Sequence, residues 1–242
     1  MKLSAAAVSR PGGRKLNEDY TGHLIIGDYG CYVLADGLGG HRGGEVASKT
    51  AVNTIIKAFQ ISPGASQDHL KSYIAEANSS LEKMKAGVGH SGTPKTTLVV
   101  FLTDSVYAYW AHVGDSRLYL FRAEKLSFQT KDHSVPQHLA DSGIISQDRI
   151  RFHEDRNRLT SAFDGTSLDR VQYSQKPVLL KKGDVFLLCS DGFWEYVLET
   201  EMEKDLKRSS SPETWITSLE KRLLRRVEKG YDNYSALAIF VI

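Results

Sequence analysis

The spacing of apolar residues changes along the chain and predicts helices in some segments and strands in others. Residues 44–59 and 67–84 carry apolar side chains at helical spacing. The stretch "GHLIIGDYGCYVLAD" contains two apolar runs separated by turn residues, which predicts a β-hairpin. The stretch "TTLVVFLTDSVYAYWAHVGDSRLYLFR" is rich in β-branched and aromatic residues with two short turns, and it predicts a three-stranded antiparallel meander.

The second half of the chain continues this mixture of strands and helices. A short helix is predicted to end at Gly143, and residues 144–165 are polar and irregular, as in loops that carry function. Later strands are predicted near residues 171–177 and 184–190 and at the final "SALAIFVI", with helices near residues 201–207 and 212–228. Because strands come in hairpins and helices in pairs, we predict an α+β fold in which helices pack outside antiparallel sheets.

Composition changes this picture little. With 242 residues and no linker, repeat or low-complexity tract, the chain is predicted to form one domain over residues 1–242, and a monomer is the default expectation. A net charge of +2 gives no reason to expect a nucleic-acid or membrane partner, and no apolar run approaches the roughly 20 residues of a membrane span. Cys31 and Cys189 lie within apolar runs, so we expect buried thiols rather than a disulfide, as in a cytoplasmic protein.

Five aspartates occupy similar positions, each at an end of an apolar or strand-like run. They are Asp19 in "LNEDY", Asp36 in "VLADG", Asp115 in "HVGDSR", Asp191 in "LCSDG" and Asp232 in "YDNYS". Any one of them alone is typical of a turn. Side chains at the ends of strands in a sheet face a common crevice, however, and clustered carboxylates repel one another unless a cation neutralises them. An all-oxygen cluster suits Mg²⁺ or Mn²⁺ rather than zinc.

These segments together resemble the metal-dependent protein phosphatases, the type 2C serine/threonine phosphatase family, in its compact bacterial form. The resembling blocks are "GGRKLNEDY", "VLADGLGGHRGGEVAS", "AHVGDSRLYLFR", "DHS", "LLCSDGFWE" and "DNYSALAI", from about residue 4 to the C-terminus. Each block alone is weakly specific, but the ordered set is highly specific. The resemblance implies a four-layer α-β-β-α sandwich of two antiparallel sheets flanked by helix pairs, with metal ions at one end and residues 144–165 as a variable flap.

The resemblance also implies which residues hold the metal. Asp36 would bridge two ions, Mn²⁺ or Mg²⁺, with the Gly37 carbonyl as a further ligand. Asp191 and Asp232 would complete the first site, and Asp19 would hold the second ion directly or through water.

Three further assignments follow from the same resemblance. A third, weaker metal site would combine Asp115 with Asp191, and Glu18 and Asn233 would lie beside the metals. Arg14 would bind the substrate phosphate, since a guanidinium offers a planar fork of donors to two phosphate oxygens. The implied reaction is hydrolysis of phosphoserine and phosphothreonine by direct attack of a water that bridges the two ions, with no protein nucleophile.

The implied partners are phosphorylated proteins. Bacterial members of the family generally oppose serine/threonine kinases, and some are encoded with type VI secretion systems. A compact chain such as this one is expected to be the stand-alone partner of such a kinase.

The glycine-rich loop and the flap leave two roles open. Glycines after Asp36 would keep side chains away from the attacking water and let the next helix begin close by. His41 is expected either to protonate the leaving alkoxide or only to cap local backbone, and the two readings are equally favoured. The flap arginines either select acidic or phosphorylated substrates or form a solvated mixed-charge loop, with the solvated loop favoured; they are Arg149, Arg151, Arg156 and Arg158.

The sequence lacks the motifs that cysteine phosphatases and nucleotide-binding proteins require. Gly37 and Glu195 stand six residues after the two cysteines, where cysteine phosphatases need arginine. Arg42 stands where the G-x-G-x-x-G pattern of dinucleotide-binding proteins needs glycine, and the chain has no Gly-Lys pair. An inactive phosphatase-like domain remains as an alternative, and the presence of all five aspartates argues against it.

Overall fold

The computed structural model describes residues 1–39, 43–88 and 94–242, with residues 86–88 described by their backbone alone. The strands in these residues are β1 (Leu3–Arg10), β2 (Asp19–Ile26), β3 (Tyr29–Leu38), β4 (Lys95–Thr96), β5 (Leu98–Thr103), β6 (Tyr107–Val113), β7 (Arg117–Arg122), β8 (Lys125–Gln129), β9 (Gln172–Tyr173), β10 (Val178–Leu179), β11 (Val185–Cys189) and β12 (Tyr234–Val241). The helices are α1 (Gly43–Ile61), α2 (Gln67–Val88), α3 (Val135–Asp141), α4 (Asp191–Trp194), α5 (Glu199–Leu206) and α6 (Pro212–Leu224), with one 3₁₀ helix at Gln147–Phe152.

The strands form two antiparallel sheets. One sheet has the order β1-β12-β11-β7-β8. The other has the order β10-β6-β5-β3-β2, with β9 also paired to β6 and β4 paired to the end of β3. In the second sheet, β2 and β3 pair so that Asp19 stands opposite Asp36.

Alternation along the central strands sorts their side chains into separate cores. In β3, Tyr32 and Leu34 join the core between the two sheets, whereas Cys31, Val33 and Ala35 join the core beneath α1 and α2. Successive side chains of a strand point to opposite faces, and both faces of β3 are covered, so this strand reads as a continuous apolar run.

The opposite sheet is built in the same way. In β11, Phe186 and Leu188 face the sheet that contains β3, while Leu187 packs with Trp194 and Trp215 in a third core under the C-terminal helices. The layers are therefore helices, sheet, sheet and helices, which confirms the predicted α-β-β-α sandwich. Both cysteines are buried free thiols, as expected.

Local sequence explains where several helices begin. The side chain of Ser134 accepts a hydrogen bond from the Gln137 N–H at the start of α3, and Ser211 does the same for the Thr214 N–H at the start of α6. Pro212 then occupies the first turn of α6, where its missing N–H costs nothing. None of the helices in the described ranges is both long enough and apolar enough to cross a bilayer.

The prediction of a three-stranded meander is wrong because its third strand lies in the other sheet. β5 and β6 pair as a hairpin, but β7 pairs with β8 and β11 in the other sheet. The chain changes sheets at Gly114, which has a φ of +100° and lies so close to Thr97 that a Cβ there would be 2.7 Å from its side chain. The same residue types favour strands in both sheets. The sequence pattern therefore predicts where strands form but not which strands pair with each other.

Five elements differ from their predictions or were not predicted. The alanine-rich β1 pairs along its whole length with β12, from Leu3 opposite Val241 to Arg10 opposite Tyr234. β8 and the short α4 were not predicted either. Within the strand predicted at residues 171–177 only the two-residue β9 forms, and the equally short β10 follows it; both pair with β6. The predicted loop at residues 144–165 contains the 3₁₀ helix.

Candidate active site

The five aspartates come from strand ends in both sheets. Asp19 begins β2 and lies opposite Asp36 near the end of β3. Asp191 follows β11 as the first residue of α4, and Asp232 precedes β12, the neighbour of β11 in the other sheet. Asp115 lies in the connection between β6 and β7, where the chain passes between the sheets. The site therefore forms where the ends of the two sheets meet.

A cleft of about 430 Å³ lies at this end of the sandwich. Its lining includes Arg14, Glu18, Asp36, Gly37, Asp115, Asp191, Asp232 and Asn233. Asp19 lies buried behind this lining, with 3% of its surface exposed. The fold thus brings together all the predicted site residues within the described ranges. His41 lies outside those ranges.

Burial and mutual repulsion disfavour negative charge on these carboxyl groups. Desolvation raises the pKa of Asp36 well above its usual range, and the nearby charges of Asp19 and Asp191 raise it further. Desolvation and the charge of Asp191 act in the same direction on the pKa of Asp115. Burial raises the pKa of Asp19 to about 7 even though the Ser190 hydroxyl donates to its Oδ2 at 2.7 Å. Such a cluster of acids is stabilised when a cation supplies positive charge.

The donor atoms also fit a hard cation. Asp19 Oδ1 and Glu18 Oε1 are buried without a hydrogen-bond partner. The polar lining is rich in carboxylate oxygens, which are the ligands that Mg²⁺ and Mn²⁺ prefer. Within the described residues, no three acidic, imidazole or thiolate side chains are already drawn together in a coordination shell. The fit therefore rests on donor chemistry and charge, not on preformed coordination geometry.

Close backbone contact explains two glycines of the "DGLGGHRGGE" segment. A Cβ on Gly37 would lie 2.3 Å from the carbonyl carbon of Gly44, and a Cβ on Gly44 would lie 2.7 Å from Glu18 Oε1. The end of β3 and the start of α1 therefore touch directly, which places the helix start beside the acidic cluster. Gly39 has a φ of +125°, a conformation that glycine adopts without strain.

Arg14 lies at the rim of the cleft. Its Nη2 donates to Asp232 Oδ2 at 3.1 Å, and 56% of the Arg14 side chain is exposed. A guanidinium in this position faces the cleft with donors that can reach an anion. Lys15 and Asn157 also line the cleft, and the sequence argument did not single them out.

Residues that the sequence argument missed support the acidic cluster. Ser190 holds Asp19, and Thr97 accepts the Asp36 N–H on its Oγ1 at 2.9 Å. The Trp194 indole donates to the Asp115 carbonyl at 2.9 Å and packs its ring over the Arg117 guanidinium. Ser190 and Trp194 lie close to Asp191 within the "CSDGFW" segment. This nearness to a predicted site residue was the one signal in the sequence that could have identified them.

Two of the flap arginines pair with acidic residues outside the flap. Arg151 is buried and donates to both carboxylate oxygens of Glu199, at 2.7 and 2.8 Å. Arg156 donates to Glu195 at 2.8 Å. A solvated loop is therefore the wrong description for Arg151, because its side chain fastens the flap to the segment that follows α4. Arg149 is exposed, and Arg158 pairs with Asp155 on the surface.

Comparisons with known proteins agree with this geometry. The family model for protein phosphatase 2C matches residues 12–230. The serine/threonine phosphatase Stp of Listeria monocytogenes is 33% identical over 180 residues, covering 72% of this chain and 71% of that protein.

Solved structures extend the similarity over nearly the whole chain. The catalytic domain of the phosphatase PstP in complex with two manganese ions is 28% identical, with a TM-score of 0.84 over 98% of this chain and 97% of that one. PppA, described as a key regulatory component of the type VI secretion system in Pseudomonas aeruginosa, is 30% identical, with a TM-score of 0.81 over 99% and 98% of the two chains. The match of the family model over most of the length, together with an acidic cleft at the meeting point of two antiparallel sheets, confirms the predicted family, fold class and enzyme class: the chain belongs to the protein phosphatase 2C family.

Proposed function

We propose that this chain hydrolyses phosphoserine and phosphothreonine in proteins, with divalent cations bound by its acidic cleft. The observation that carries the proposal is the convergence of buried carboxyl groups from both sheets, whose pKa values are raised by desolvation and by one another. In this proposal Asp36 would contribute to holding both ions, and the ions would be Mn²⁺ or Mg²⁺. The remaining ligands are the Gly37 carbonyl, Asp19, Asp191 and Asp232, with Asp115 and Asp191 at a third, weaker site.

When bound, such ions would supply an ionised water for attack on phosphorus and would offset the negative charge of the phosphoryl oxygens. The chain's own residues bind and orient the substrate. Arg14 would exchange its contact with Asp232 for two phosphate oxygens, because a planar guanidinium matches their spacing. The buried Ser190 and Thr97 hold Asp19 and Asp36 in place, so the carboxylates need little reorganisation when charge develops.

Protonation of the leaving oxygen remains a separate proposal. His41 falls between Asp36 and α1 in the sequence, and we propose that its imidazole protonates the leaving oxygen as a general acid near neutral pH. No side chain acts as a nucleophile in this scheme: both cysteine thiols are buried, and burial raises the pKa of each well above its usual range.

The relatives suggest the biological setting. A similar phosphatase was solved with two manganese ions, and another is a regulatory component of a type VI secretion system. We propose that this chain opposes a bacterial serine/threonine kinase in the cytoplasm, acting as a monomer on phosphorylated proteins, with regulation of type VI secretion as one setting.

The decisive experiment is hydrolysis of a phosphothreonine peptide by the purified protein in EDTA, in Mg²⁺ and in Mn²⁺. We expect turnover only with metal, no effect of thiol alkylation, and loss of turnover in Asp36→Asn and Asp191→Asn. Asp115→Asn is expected to weaken binding of a third ion in calorimetry and to leave binding at the other two sites largely intact. Peptide binding without turnover under any metal would overturn the proposal in favour of a phosphoprotein-binding role.

A further inference from the structure

One side chain closes both ends of the loop that carries Arg14. The Asn233 Nδ2 donates to the carbonyl of Pro11 and to the carbonyl of Leu16, each at 2.8 Å. Its Oδ1 accepts the Glu18 N–H at 2.8 Å. The segment from residue 11 to residue 16, here called the Arg14 loop, is therefore tied at its first and last residues to a single amide.

The Arg14 loop also lies directly on the backbone that precedes Asn233. The Gly13 N–H donates to the Tyr231 carbonyl at 2.9 Å. A Cβ on Gly12 would lie 2.1 Å from the Asp232 carbonyl oxygen, and a Cβ on Gly13 would lie 2.7 Å from Gly230. Two consecutive glycines thus allow backbone-to-backbone contact, and the loop cannot move closer to residues 230–232 than it already is.

The contacts of Arg14 itself are too weak to set its position. Its pair with Asp232 joins two side chains that are 56% and 47% exposed, and exposed pairs of this kind contribute about 0–1 kcal/mol. Asn233 is only 6% exposed, so a loop that moved away from it would leave buried donors and an acceptor unpaired. The loop is therefore held by Asn233, and Arg14 is held by the loop.

We infer that Asn233 is a positioning residue for phosphate recognition, acting through the Arg14 loop and not as a metal ligand. Both side-chain donor hydrogens and the amide oxygen of Asn233 are engaged with backbone groups of residues 11–18. Its own N–H donates to Asp232 Oδ1 at 2.8 Å, so one residue sets the distance between the Arg14 loop and the Asp232 carboxylate. This inference rests on the proposed phosphatase function, in which Arg14 meets the substrate phosphate.

The test is a double-mutant cycle between Asn233→Ala and Arg14→Ala, since residues that act as a unit are not additive. In the wild-type background, we expect Asn233→Ala to raise the KM for a phosphothreonine peptide by about tenfold and to change kcat less. In the Arg14→Ala background, the same substitution is expected to change kcat/KM by less than about twofold. Asn233→Leu, which keeps the approximate size without a charge but loses both donors and the acceptor, should repeat the result if Asn233→Ala folds poorly.

Asp184→Asn is the matched control for a general loss of stability. Asp184 is 1% exposed, accepts hydrogen bonds from Arg122 and from the Lys181 N–H, and precedes β11 at the end opposite Asp191. We expect this variant to lower the melting temperature while leaving KM unchanged. An equal loss of kcat/KM from Asn233→Ala in both backgrounds, or a rise of KM in the control, would overturn the inference.

A second measurement separates this inference from the proposed function. The affinity for orthophosphate, measured by calorimetry on the Mn²⁺-loaded protein, should follow the same non-additive cycle. Absence of turnover in the wild-type protein would refute the proposed function, whereas the phosphate cycle would still support or refute the role of Asn233. Turnover together with additive effects would refute the role of Asn233 alone.

Discussion

Asp36 faces Asp19 across the β2–β3 pair, and the nearby charges of Asp19 and Asp191 both raise the pKa of its buried carboxyl group. A buried acid with a raised pKa destabilises the folded state once the pH exceeds its usual value, because the unfolded chain ionises first. In the absence of a cation, this penalty is present at neutral pH and falls as the pH is lowered towards 3.8, the usual pKa of an aspartate. The residues that we propose for metal binding therefore oppose folding of the metal-free protein.

This conflict predicts opposite effects of Asp36→Asn with and without metal. The substituted side chain is an amide of nearly the same size without the charge, so we expect the metal-free variant to melt about 2–4 °C higher for each kcal/mol of repulsion relieved. Mn²⁺ is expected to stabilise the wild-type protein and to have little effect on the variant. Differential scanning calorimetry in EDTA and in Mn²⁺ measures both effects.

Asp28→Asn serves as the control, because Asp28 is an exposed acid in the β2–β3 turn. It should leave both melting temperatures unchanged. Equal stabilisation of wild type and Asp36→Asn by Mn²⁺ would contradict the place of Asp36 in the metal site.

The flap is tied to the body of the protein by particular elements. Its 3₁₀ helix contributes Arg151, which bonds to Glu199 at the start of α5 and to the Val197 carbonyl. Arg156 in turn bonds to Glu195, which follows α4 and lies four residues after Asp191. The flap is thus joined to the segment that carries one of the central aspartates.

We expect Arg151→Gln to loosen the flap. Loss of the Arg151 guanidinium leaves Glu199 without its two shortest hydrogen bonds. This should lower the stability of the closed flap by about 1–3 kcal/mol. If this cost falls on local opening of the flap, chymotryptic cleavage after the exposed Phe152 should accelerate by about tenfold or more. Timed proteolysis with mass spectrometry measures the rate.

Arg149→Gln is the control from the same 3₁₀ helix, because the Arg149 side chain is exposed. It should leave the cleavage rate unchanged. The same rate for all three proteins would show that the Arg151–Glu199 pair does not hold the flap.

At the scale of the whole molecule, the site depends on how the two sheets are held against each other. Asp19 and Asp36 belong to one sheet, and Asp191 and Asp232 adjoin strands of the other. The apolar core between the sheets, which includes the closely packed rings of Phe101 and Phe186, fixes their separation. Any change that loosens this core is expected to alter the cleft, since the carboxylates are carried by strands on both sides of it.

A buried histidine makes a contribution to global stability that is expected to fall below neutral pH, opposite in sign to that of the acidic cluster. Burial lowers the pKa of His112 to about 4, with a smaller contribution in the same direction from His133, whose ring centroid lies 5.0 Å away. The His112 Nε2 bonds to the Lys131 carbonyl, and the nearby Asp132 acts in the opposite direction on the pKa. The neutral form therefore stabilises the fold above the usual histidine pKa of 6.5, and this stabilisation is lost as the pH falls towards 4.

From about pH 7.5 to about pH 5, His112 should account for a loss of about 2 kcal/mol in the free energy of unfolding. Urea unfolding of the wild type and of His112→Gln at the two pH values measures this loss as the difference between the two proteins. His112→Gln keeps a donor for the Lys131 carbonyl but does not titrate, so its stability should depend less on pH by that amount. Identical pH dependence in the two proteins would contradict the assignment.

Much of this protein could be predicted from the sequence because the relevant signals are local. The pattern of apolar residues shows which faces of an element are buried. It does so through helical spacing in residues 44–59 and through the apolar runs around Val33 and Leu187. The aspartates were found for the same reason, since each interrupts or borders an apolar run. The ordered set of motifs then predicted the family and the four-layer sandwich.

Tertiary structure decided what depends on residues far apart in the chain. The sequence pattern placed β7 next to β6, but both sheets offer an apolar inner face, and only packing assigns the strand to one of them. Asn233 reaches the carbonyls of Pro11 and Leu16 across more than two hundred residues, and Gly37 meets Gly44 where a strand and a helix touch. Local order in the sequence determines which side chains must be buried or kept polar, whereas the partners of those side chains are determined only when distant segments pack together.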